Sequence, residues 1–128
     1  MTDPVTVGMN NFKWLKDDDT YGISLFRTDY TYGTYSMGQS DGTPYQVPSG
    51  HKLIILNIFM EDITEVQIHD SASSNSATGT LLLDTRTTDT SEVNLNTYIE
   101  IASSRYVNVT VPDPKSIFVN MLGVITSN

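Results

Sequence analysis

The sequence predicts an all-β fold, an antiparallel β-sandwich of about eight short strands. Three observations carry this. Residues 92–101 alternate cleanly, with Val93, Leu95, Thr97, Ile99 and Ile101 on one face and Glu92, Asn94, Asn96, Tyr98 and Glu100 on the other, which is the period of a half-buried strand. Gly, Pro, Asp and Ser clusters recur at regular spacing between short apolar runs. No segment holds the helical period for a useful length.

The elements follow in chain order. Residues 1–29 are mixed and polar, with apolar groups at Phe12, Trp14 and Leu15 and at Ile23, Leu25 and Phe26, separated by a turn at Asp17-Asp18-Asp19. Residues 30–37, YTYGTYSM, are rich in strand formers, and 38–44 form a loop. Val47-Pro48-Ser49-Gly50 fits a type I turn, and a strand over 51–60 follows. Residues 64–70 alternate, with Val66 and Ile68 inward and Glu65, Gln67 and His69 outward. Residues 71–79, SASSNSATG, compose a flexible surface loop. Short strands are expected at 80–86 and 105–111, the second with Val107, Val109 and Val111 inward. Pro112-Asp113-Pro114-Lys115 makes a rigid turn before a last strand over 117–125. The natural division lies between an N-terminal arm with outer strands, residues 1–44, and a sandwich core, residues 45–128, within one structural domain.

Two of these strands are apolar on both faces. Leu53, Ile55 and Phe59 supply one core face, which leaves Ile54, Leu56, Ile58 and Met60 pointing the other way. The last strand leaves Phe118, Leu122 and Val124 in the same position. A strand with one wet face should alternate instead. Burying each such side chain stabilises by roughly 1.5–3 kcal/mol, so seven of them rival the whole stability of a small domain. The second face is therefore expected to be covered, by the N-terminal third of the chain or by another subunit.

Composition narrows the function. The net charge is −8, with only seven Lys and Arg residues, and these are scattered. Such a chain neither neutralises phosphates nor attaches to an anionic membrane, so no nucleic-acid or membrane partner is expected. No Cys is present, which removes disulfides and thiolate chemistry and fits folding in a reducing cytosol. The start of the chain lacks the basic residues and apolar stretch of a signal peptide. Asn108-Val109-Thr110 matches a glycosylation acceptor.

No reaction chemistry stands out. His51 and His69 read as surface histidines near strand ends without metal-ligand spacing. Asp17-Asp18-Asp19 lacks the alternating oxygens, central Gly and terminal Glu of a calcium loop. No Gly-x-Ser-x-Gly elbow exists. The expectation is a non-enzymatic protein with no catalytic residue, metal or cofactor. Seven tyrosines shift attention to surfaces. Tyr98 and Tyr106 are expected on the outward faces of neighbouring strands, as parts of one contact surface, where exposed tyrosines anchor protein contacts, stack on sugars or simply pair across a sheet.

The stretch from Tyr45 to Ile125 resembles small virion proteins of tailed bacteriophages. The likeness rests on PYQVPSGHKLIILNI, the strand EVQIHD, a Ser-rich loop before TGTLLLDT, the block VNLNTYIEIASSRYVNVTV and the apolar last strand. Proteins of this layout include capsid decoration (cement) proteins and the heads of fibres or spikes. The resemblance implies a jelly-roll-like sandwich, a homotrimer, a place on the virion surface after synthesis in the host cytoplasm, and a major capsid protein as partner. In a jelly roll the first and last strands are neighbours, so 53–60 and 117–125 in those roles would merge their surplus faces into one patch. Ile54, Leu56, Ile58, Met60, Phe118, Leu122 and Val124 are then the expected subunit interface. Phe12, Trp14, Tyr98 and Tyr106 are the expected contacts to capsid or ligand. The alternative is a receptor- or carbohydrate-binding head module of a fibre or spike.

Overall fold

A computed structural model describes residues 20–29, 33–39, 43–61, 66–85, 92–111 and 117–128. These residues form eight strands and no helix: β1 (Tyr21–Asp29), β2 (Gly33–Ser36), β3 (His51–Glu61), β4 (Gln67–Ser71), β5 (Thr80–Asp84), β6 (Glu92–Ile101), β7 (Tyr106–Val111) and β8 (Ile117–Ser127). They make two four-stranded antiparallel sheets, the first ordered β1-β8-β3-β6 and the second β2-β7-β4-β5. Successive strands change sheet at every step except β4 to β5. This is the jelly-roll order, with the first strand beside the last. The first strand is β1, which pairs with β8 from Tyr21↔Ile125 to Asp29↔Ile117. The strand at 53–60 is instead the third, and it flanks β8 on its other side.

The core lies between the sheets. The first sheet contributes Ile23, Leu25, Leu53, Ile55, Val119, Met121 and Ile125, and the second Ile68, Val107 and Val109, all buried. β1 and β2 precede residue 45 and form one edge of each sheet. Between them and β3, the segment carrying Met37 and Val47 is tied down by backbone bonds: Phe26 N donates to Gly38 O at 2.8 Å, Met37 N to Val107 O at 2.8 Å and Val47 N to Arg105 O at 2.9 Å. Met37 and Val47 are thereby driven into the core. Residues 1–19, with Phe12 and Trp14, lie outside the described residues, as do Tyr30 and Tyr32.

The central strand departs from strict alternation. On β3, Ile55 pairs with Gly123 of β8, yet Asn57 pairs with Leu122, so Leu56 is an extra residue on the β3 side. A bulge of this kind advances the strand by one residue and exchanges the faces beyond it. Leu53 and Ile55 point inward before it, and Ile58 and Met60 point inward after it, each at most 1% exposed. The outward placement expected for Ile58 and Met60 is thus corrected: both are core residues, and Phe59 takes the outer face. Gly123 makes the bulge possible, because a Cβ there would collide with the carbonyl oxygen of Ile54.

Two local expectations also change. The turn before β3 closes from His51 N to Pro48 O at 3.1 Å. Gly50 sits in it at φ 76°. That is one residue later than a Val47–Gly50 turn, with the positive φ at its third position that a type II turn requires. His69 is not a surface histidine: it lies within β4 and is only 8% exposed.

Candidate interaction face

The outer face of the first sheet is built from the outward positions of four adjacent strands. Register places Gly22, Val124, Ile54 and Glu100 in one row. The next row is Ser24, Leu122, Asn57 and Asn96, and the next Phe26, Asn120, Phe59 and Asn94. Phe118 follows, opposite Thr28 and Glu61. Large apolar side chains stay open on this face: Leu56 at 36%, Phe118 at 38% and Leu122 at 41%. Ile54, Phe59 and Val124 are half-buried between them. The rings of Phe59 and Phe118 meet edge to face, centroids 6.4 Å apart at 76°.

Polar side chains along one margin are held in place. Asn57 Nδ2 donates to Oδ1 of both Asn94 and Asn96 at 3.0 Å. Lys52 Nζ bonds Glu100 Oε1 at 3.1 Å, and the Tyr98 hydroxyl donates to the same oxygen at 3.1 Å. The lysine above all, then the tyrosine, hold the Glu100 carboxyl below the usual carboxylate range. Tyr98, 65% exposed, is the most open large side chain among the described apolar and aromatic residues. Its hydroxyl anchor orients the ring rather than leaving it to sweep the surface.

Of the expected interface residues, Ile54, Leu56, Phe118, Leu122 and Val124 come together here, and Ile58 and Met60 do not. Phe59 belongs to the face and was missed by strict alternation. Asn57 was the available signal: continuous alternation from Leu53 to Phe59 would have buried its amide in the core. Tyr98 joins the face, but Tyr106 does not. β6 and β7 are successive in the chain yet lie in different sheets, so the two tyrosines cannot share a surface.

The outer side of the second sheet is partly closed by the chain itself. The Ser-rich segment after β4 is fastened rather than loose. Asn108 Nδ2 donates to the carbonyls of Ser73 at 2.9 Å and Ser76 at 2.8 Å. Its Oδ1 accepts from Ser36 Oγ at 2.6 Å, and Asn75 exchanges bonds of 2.8 Å with the backbone and side chain of Ser36. Gly79, at φ 113°, brings the segment back against the Asp70 carbonyl where no Cβ fits. Asn108 is wholly buried, and its nitrogen is spent on two carbonyls, so the folded chain does not present the Asn108-Val109-Thr110 acceptor. Among the described residues no group of three His, Asp or Glu side chains gathers as a metal would need.

No protein-family model matches the chain, and no curated protein matches its sequence.

Proposed function

We propose that this chain is a non-enzymatic decoration protein of a bacteriophage capsid. It attaches through the outer face of its first sheet and stabilises the shell by bridging neighbouring major capsid subunits, with three copies grouped about a three-fold axis. The observation that carries this reading is the exposure of Leu56, Phe118 and Leu122 on one sheet face, with Ile54, Phe59 and Val124 half-buried beside them. Contiguous apolar surface on an acidic, otherwise polar domain marks an attachment site. The resemblance in layout to small virion proteins supplies the kind of partner. A receptor- or carbohydrate-binding head module is the second reading, favoured by the anchored, exposed Tyr98 beside Asn96.

Capsids lacking the protein, mixed with the purified chain and pelleted, separate the two. Leu122→Lys is expected to weaken attachment about tenfold or more, as for a central contact. Tyr98→Ser should weaken it by less and leave stability within about 0.5 kcal/mol, as for a surface change. Equal attachment by Leu122→Lys and the unmodified chain removes the capsid reading. Binding of the chain to immobilised host-surface glycans, lost in Tyr98→Ser, installs the second.

A further inference from the structure

A sheet edge is an open template, because its outer N–H and C=O groups have no strand to bond. The edges of this sandwich are β1 and β6 in the first sheet and β2 and β5 in the second. β2 and β5 are short, at four and five residues. β1 is capped on its outer side, where Phe26 N donates to Gly38 O at 2.8 Å and Gly38 N to Phe26 O at 3.3 Å. β6 is ten residues long, and among the described residues β3 is the one strand paired with it. It carries none of the usual guards of an edge: Glu92–Ile101 holds no Pro, no Lys or Arg and no Gly. Its inward side is unfinished as well. Val93, Leu95 and Ile99 pack against the core yet stay only partly buried, as does Thr97. Another strand beside β6 would bond its open backbone and cover these side chains together.

The strand that fits is β6 itself. A second copy turned about a two-fold axis perpendicular to the sheet brings β6 against β6 antiparallel. Directly opposite residues share a face, so odd numbers meet odd and even meet even. Two registers overlap nearly the whole strand. With Asn96 on the axis, Glu92 stands opposite Glu100 of the second copy, and the same like-charge pair recurs at the other end. With Thr97 on the axis, Leu95 meets Ile99, Val93 meets Ile101, Asn96 meets Tyr98 and Asn94 meets Glu100. Apolar pairs then close the inner side, and no two charges of like sign are opposed. We propose that two copies of this chain join through β6 in that register, making one eight-stranded sheet of their two first sheets. The outer faces of both copies then lie on the same side of it. This contact is additional to the three-fold grouping and stands without the attachment reading.

Sedimentation of the full chain is expected to show a two-chain species that dissociates on dilution. Thr97→Lys sets two lysines together on the axis and should weaken the pair about tenfold or more, while a lysine on a free edge is tolerated. Ala77→Lys, at an exposed position of the loop after β4, should leave the pair unchanged. Circular dichroism checks that both variants are folded. The register is read from nitroxide labels on introduced cysteines, since the chain has none of its own. Asn94→Cys and Glu100→Cys are labelled separately, and neither measurement needs the Thr97→Lys protein. Both positions lie three residues from the axis, so each label should stand equally far from its copy, about 20 Å at the Cα atoms. With Asn96 on the axis the separations become about 14 Å for position 94 and about 27 Å for position 100. A chain that stays single at high micromolar concentration overturns the pairing. An assembly that folded Thr97→Lys leaves intact overturns it too, since the copies then meet elsewhere. Unequal label separations overturn the register, and with it the proposal as stated.

Discussion

Ile58→Ala is expected to lower the free energy of unfolding by about 2–5 kcal/mol, the cost of a large-to-small change that leaves a cavity in a packed core. Ile58 is fully buried, in register with Met121 of β8 and Leu95 of β6. Leu122→Ala, on the open side of the same sheet, should cost less than about 1 kcal/mol. Urea unfolding of the two variants is therefore a direct test of the bulge at Leu56. Without it, Ile58 would lie on the outer face, and the two substitutions would cost similar amounts. A loss near the low end still separates the cases, because the whole stability of such a domain is about 5–15 kcal/mol.

Asn108→Ala should be of comparable size, about 2–4 kcal/mol, for a different reason. The buried amide holds two part-buried carbonyls of the Ser73–Ser76 stretch and the buried hydroxyl of Ser36. Removing it leaves the buried Ser36 hydroxyl and two part-buried carbonyls short of a partner, at about 1–3 kcal/mol for each group that water does not reach. Hydrogen exchange resolves where the loss falls. Amides of residues 72–79 and of Ser36 should exchange faster well before the core of the first sheet is affected. Unchanged exchange over 72–79 would mean that the loop is held by its own turns and not by Asn108.

The elements legible in the sequence were those whose signal is local. β6 was read at its full length because its alternation is unbroken from Glu92 to Ile101. β8 showed its outward residues correctly, since no bulge interrupts its own run. β1 was harder. Ile23 and Leu25 face the core, but the next inward position is Arg27, whose guanidinium lies 4.6 Å from the centre of the Tyr35 ring. A charged residue in an inward position hides the strand from pattern reading, and the facing aromatic ring of the second sheet helps make it tolerable.

By itself the sequence determined the all-β class, the approximate number of strands and the neighbouring apolar runs that compose the candidate face. These follow from side-chain period and turn chemistry, which act over a few residues. Only the tertiary structure decided which face each side chain occupies after Leu56, that Tyr98 and Tyr106 belong to opposite sides, and that the Ser-rich loop is fastened. Each depends on a partner far along the chain: β3 on Gly123, β6 and β7 on the sheets that receive them, and Ser73 and Ser76 on Asn108. A one-residue offset in a central strand exchanges inside and outside for every position beyond it, and no short window of sequence contains the second strand that makes the offset favourable.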